Sequence, residues 1–108
     1  MPVAFRADLR PFLEEFVDAH RGVRLGRMFG APGLFAGRRL FACLVDGGLI
    51  VKLPADVARR ELQRGALPYE RRGSRVRAWV IYRPRTSVDA RRLWPVLELA
   101  VRAAADLT

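Results

Sequence analysis

Few residues in this chain of 108 have the type and spacing to do chemistry. Nucleophilic catalysis needs a Cys or Ser beside a base that a third group orients. The single cysteine, Cys43, sits between Ala42 and Leu44 in an apolar run, and the single histidine, His20, belongs to the first helical segment. The expectation is a buried structural thiol and a surface histidine at a helix end. Glu14, Glu15 and Asp18 share one helical stretch, where i, i+4 spacing sets Glu14 beside Asp18 on a solvated face. Metal centres need clustered Cys, His or carboxylate ligands, and no such cluster occurs along the sequence. No catalytic, cofactor-binding or metal-ligating residue is assigned, and the chain is expected not to be an enzyme.

Arg27 to Phe35, "RMFGAPGLF", is the one stretch that raises the question of a phosphate loop. A Walker loop needs G-x-x-x-x-G-K-[ST] opening a helix, whereas Gly33 is followed by Leu34 and the chain runs on into strand-like residues. A dinucleotide fingerprint is missing as well. Gly30, Ala31, Pro32 and Gly33 instead suit a reverse turn, with Pro32 fixing φ near −65° and Gly33 taking the positive φ after it. The stretch is read as a structural bend.

What remains is charge. The chain carries +9 at neutral pH with a pI near 11.4, from nineteen Arg and one Lys (Lys52). Arg in place of Lys, together with no Asn and only two Ile, matches a GC-rich coding sequence, so the guanidinium itself carries little information. The sign of the charge does: so basic a domain attracts polyanions. Arg71, Arg72, Arg75, Arg77, Arg83 and Arg85 gather around Trp79 and Tyr82, an interleaving that suits phosphate neutralisation and base stacking. Tyr82 shares the alternation of Val76 and Val80 and is expected in the core.

The elements that would position these residues follow from periodicity. Leu9, Phe12, Leu13, Phe16 and Val17 form a helical stripe, with Asp8 as its cap, Pro11 in its first turn and Gly22 as its stop. Between Arg24 and Leu53 the pattern is that of strands. A short "GLF" strand, an "AGRR" turn, "LFACLV" (40–45), a "DGG" turn and "GLIVKL" (48–53) make an antiparallel meander. Pro54 to Gly65 is a short helix, and 75–83 is a strand. A final helix starts near Leu93, led in by a turn at 89–92. Strict alternation sets Leu40, Ala42 and Leu44 against Phe41, Cys43 and Val45. It likewise sets Val76, Ala78, Val80 and Tyr82 against Arg75, Arg77, Trp79, Ile81 and Arg83. The order helix-strands-helix-strand-helix predicts a single α+β domain over residues 1–108, an antiparallel sheet meander with three helices packed on it. No apolar run reaches the ~20 residues of a membrane helix, and no signal-peptide pattern opens the chain, so it reads as a cytoplasmic, bacterial-type domain without membrane partners.

Arg27 to Lys52 resembles the N-terminal domain of the TfoX family, bacterial proteins associated with the regulation of natural competence. The matching residues are Met28-Phe29-Gly30, Gly33-Leu34-Phe35, Phe41-Ala42 and Leu49 through Lys52. Leu67-Pro68-Tyr69, Tyr82-Arg83-Pro84 and the Leu93 helix look like the family's later elements. The resemblance implies a two-layer, secretion-chaperone-like fold. Its motif is made of glycines and core aromatics, and so marks a fold rather than an active site. Full-length family regulators carry a second, helical domain, which this sequence of 108 residues does not show.

Two binding functions follow as expectations. The first is a regulatory or protein-interaction module. Strands apolar on both faces, under helices that cover only one, leave Trp79 and Ile81 for a protein partner or a homodimer. The second is a nucleic-acid-binding domain using Arg71 to Arg85.

Overall fold

The computed structural model describes residues 4–106 as one α+β unit. The elements are α1 (Arg10–Ala19), β1 (Val23–Met28), β2 (Ala31–Ala36), β3 (Arg39–Val45), β4 (Gly48–Lys52), α2 (Ala55–Gln63), β5 (Leu67–Arg71), β6 (Ser74–Tyr82) and α3 (Trp94–Asp106), with 3-10 turns at Ala7–Leu9 and Asp89–Leu93. All six strands form one antiparallel sheet in the order β1-β2-β3-β4-β6-β5. The expected fold class is that of the structure, and the element order matches it except for β5, whose "LPYER" carries a proline tolerated only at a sheet edge.

Four two-residue hairpin loops connect the strands, at Phe29-Gly30, Gly37-Arg38, Asp46-Gly47 and Arg72-Gly73. The first and last have both central residues at positive φ (54° and 83°, 55° and 79°), the type I′ pattern that matches the twist of paired strands. The turn expected at Gly30 to Gly33 therefore lies earlier. Pro32 and Gly33 are inside β2, and Pro32 is tolerated because it precedes the β3 ladder, which begins at Gly33.

All three helices pack on one face of the sheet. Leu9, Phe12, Leu13 and Phe16 from the N-terminal helix and Val96, Leu97 and Ala100 from α3 meet Leu34, Phe41, Ala42, Leu44, Leu49, Val51 and Val80. Phe16 sits 5.0 Å from Trp94 and 6.4 Å from Phe41, ring to ring. α2 adds Val57 and Ala58.

Strict alternation fails at two bulges. Leu34 pairs with Ala42 but Phe35 pairs with Leu40, so Phe41 is the extra residue of β3. Phe41, Ala42 and Leu44 face the helices, and Leu40, Cys43 and Val45 face away. In β6, residues 76–79 stand opposite Tyr69 alone, and Ala78 adopts φ 71° while accepting a hydrogen bond from the Leu53 N–H (2.8 Å). The bulge turns Val76 toward the side of Trp79 and Ile81 and takes Arg75 and Arg77 away from it.

Two local expectations are corrected. Asp8 does not cap α1; its carboxylate takes two hydrogen bonds from Arg6 (2.7 and 2.8 Å). These bonds hold the Asp8 carboxyl below its usual range. The Arg6 guanidinium also donates to Pro84 O at 2.9 Å and so ties the N-terminal segment to the end of β6. His20 is not a free surface residue. Its ring stacks on Phe16 (3.9 Å between centroids), and its Nε2 lies 3.1 Å from Glu98 of α3.

Candidate interaction surface

The face of the sheet away from the helices is apolar and, among the described residues, uncovered by any helix. Cys43, Ile50 and Ile81 come into line on neighbouring strands, since Cys43 pairs with Ile50 and Ile50 with Ile81. With Ala31 they make a second buried cluster, flanked by Met28, Leu40, Val45, Tyr69 and Trp79. Phe5 reaches both clusters from the N-terminal segment.

The sheet curls about this face. β1 and β5 are its opposite edges, yet the Arg71 guanidinium lies 4.9 Å from the centre of the Phe29 ring. The β1–β2 loop and the end of β5 thus approach one another across this face and close a half-barrel. The result is an open groove of about 1010 Å³, floored by the aligned Cys43, Ile50 and Ile81 and walled by Leu40, Tyr69, Val76 and Trp79. Leu67 on its rim is 45% exposed and Phe29 69%, large apolar areas for solvent to meet.

The residues singled out from the sequence divide between the groove and its outside. Trp79, Ile81, Arg71 and Arg83 line the groove. Arg72 forms the tip of the β5–β6 turn beside Arg71. Arg75 and Arg77 are exposed and do not line it, because the Ala78 bulge breaks the alternation that would have placed them there. Arg85 lies in a separate cleft of about 380 Å³ between the end of β6 and the Asp89–Leu93 turn. Among the described residues none of Arg71, Arg72, Arg75 and Arg77 is paired with a carboxylate.

The residues singled out between Arg27 and Lys52 divide between the groove and the core. Met28 and Phe29 form the lip of the groove and Gly30 turns the hairpin. Gly33 pairs with Gly26 across β1 and β2, with the Phe35 ring against them. Leu34 and Phe41 fill the helix-side core, and Lys52 ends β4 exposed, opposite Trp79. The groove residues missed from the sequence include Leu40, Cys43, Ile50, Leu67, Tyr69 and Val76. The apolar character of both faces of β3 signalled Leu40 and Cys43 alone.

Chemically reactive groups are few here. Cys43, 4% exposed, is pushed up from 9.0 to about 11 by burial, so at neutral pH it is a thiol and a poor nucleophile. Tyr82, on the helix side, donates to Glu61 Oε1 at 2.8 Å. Burial first, and the Glu61 carboxylate second, raise the phenol well above its ordinary value. Among the described residues no three His, Cys, Asp or Glu side chains assemble as metal ligands would, and no helix is long and apolar enough to cross a membrane. No protein-family model matches the chain, and no curated protein sequence matches it.

Proposed function

We propose that the protein is a non-enzymatic, regulatory protein-interaction module of the bacterial cytoplasm that binds a partner through the open face of its sheet. The observation that carries this reading is the open groove on the face without helices, with its exposed apolar rim at Phe29 and Leu67. Soluble domains bury such surfaces or use them, and a concave apolar site with a few polar groups at its edge is the usual form of a binding site. The resemblance of Arg27 to Lys52 to the TfoX N-terminal domain supports the same reading, since its motif consists of glycines and apolar residues, Met28 and Phe29 at the groove among them, rather than groups that do chemistry.

Affinity capture with the chain and with a Trp79→Asp variant, run in parallel, tests it. A partner seated on the groove is lost with Trp79→Asp and kept with Arg71→Ala plus Arg72→Ala. Recovery of the same proteins by both variants removes the groove from consideration.

A second reading, nucleic-acid binding, is favoured by one observation: four arginines free of carboxylates on the β5–β6 hairpin. Binding to a short labelled duplex at ~50 and ~200 mM salt separates specific use from bare charge, because phosphate-driven affinity collapses over that range. Micromolar or tighter binding at the higher salt would place nucleic acid ahead of a protein partner.

A further inference from the structure

The cleft of about 380 Å³ at the end of β6 is separate from the groove and has a different chemistry. We propose that it binds a small phosphate monoester, held as its dianion by Arg83, Arg85 and Arg92.

Convergence is the first observation. Four arginines line the cleft: Arg64 at the end of α2, Arg83 and Arg85 just beyond β6, and Arg92 in the Asp89–Leu93 turn. They come from three segments of chain, so no single run of arginines accounts for their meeting. The lining carboxylates are Glu61 and Asp89.

The second observation is which of these charges is already engaged. Glu61 is 8% exposed, accepts the Tyr82 hydroxyl at 2.8 Å and lies 3.6 Å from Arg64. Arg83, Arg85 and Arg92 are left against Asp89 alone, an excess of two positive charges. Among the described residues none of the three is paired with a carboxylate, whereas the adjacent Arg91 is held by Glu15 at 2.8 Å. A phosphate monoester carries nearly two negative charges at neutral pH and offers three strong acceptor oxygens. The planar guanidinium fork meets such oxygens two at a time.

The third is that the backbone carrying the arginines is held in place. Arg6 donates to Pro84 O at 2.9 Å, and Thr86 Oγ1 accepts from the Asp89 N–H at 3.2 Å. Thr86 O accepts from the Ala90 N–H at 3.1 Å. Pro84 fixes one φ between Arg83 and Arg85. On the opposite wall the Arg64 and Ala66 N–H groups both donate to Glu61 O at 3.0 Å. A site on held backbone has less ordering to do when a ligand arrives. The volume is at the small end for ligand sites and suits a phosphate on a carrier of a few carbons.

Glycerol 2-phosphate, titrated by calorimetry and by amide NMR, tests the proposal at ~150 mM sodium chloride, where exposed charges are screened beyond about 8 Å. Arg83 also borders the groove, so the variants are placed at Arg85 and Arg92, which line this cleft alone. Both side chains are exposed, and their replacement does not disturb the core. The expected result is one molecule bound per chain, with amide shifts concentrated at residues 83–92. Arg85→Gln and Arg92→Gln should each weaken binding about tenfold, and Arg71→Gln with Arg72→Gln should leave it unchanged. Dimethyl phosphate, a monoanionic diester, should bind about tenfold more weakly than the monoester. Equal losses from the two pairs of variants would reduce the effect to the net charge of +9 and overturn the site. Equal binding of dimethyl phosphate would overturn the monoester. A short duplex that displaces glycerol 2-phosphate at equal phosphate concentration would make nucleic acid the source of the phosphate and overturn the small ligand. Absence of saturable binding would remove the site, and would leave the docking reading of the groove as it stands.

Discussion

At the scale of single residues, the buried Cys43 thiol and the half-buried Tyr82 hydroxyl report on the integrity of the sheet. The Cys43 thiol is raised to about 11 by burial, against 9.0 ordinarily. A raised folded-state value means that the stability it contributes is complete below pH 9 and is lost as pH climbs from 9 toward 11, because the unfolded chain ionises first. Urea midpoints for the native chain should therefore fall between pH 8.5 and 10 more steeply than those of Cys43→Ala. The thiol should also resist alkylation at pH 7.5 until denaturant is added. Tyr82 belongs to the other face, where its hydroxyl donates to a Glu61 carboxylate that is 8% exposed. Tyr82→Phe leaves that carboxylate with Arg64 at 3.6 Å as its remaining ion-pair partner. The expected cost is about 1–3 kcal/mol in thermal or urea unfolding, with the fold retained.

At the scale of elements, the hairpins decide where side chains point. The β1–β2 loop puts Phe29 at φ 54°, which Asn or Gly adopts with less strain. Phe29→Asn should then raise stability by about 0.5–1 kcal/mol, read from urea unfolding of the variant beside the native chain. Gly48 is fixed for a different reason. A Cβ there would run into the Tyr82 carbonyl oxygen, where β4 meets β6. Gly48→Ala must part those strands and should lower the melting temperature by several degrees, as a loss of about 1–3 kcal/mol does in a domain of this size.

At the scale of the whole molecule, the chain combines a groove whose apolar rim is exposed at Phe29 and Leu67 with a net charge of +9. Repulsion between copies opposes self-association through the groove, and salt screens repulsion while leaving the apolar attraction in place. Sedimentation should show monomers at ~50 mM salt and reversible association near 1 M, where the screening length falls to about 3 Å. Leu67→Asp should suppress that association. An association that falls with salt would instead indicate a contact between opposite charges.

The sequence by itself determined the composition of the layers. Helical stripes from Leu9 to Val17 and from Leu93 onward, apolar runs at 40–45 and 48–53 and the Asp46-Gly47 turn are local patterns, and local patterns fix local elements. The sequence also held the apolar character of both sides of β3, and with it the idea of a surface to bind. Only the tertiary structure decided which residues share that surface. Alternation has a period of two, so one extra residue flips every side chain beyond it. The Phe41 bulge put Phe41 on the face of Ala42 and Leu40 on that of Cys43, and the Ala78 bulge replaced Arg77 by Val76 in the groove wall. The meeting of Phe29 and Arg71 joins residues from opposite edges of the sheet, forty-two positions apart in the chain, through a curl to which all six strands contribute. Curvature of that kind is a sum over every strand pair, and no short stretch of sequence contains it.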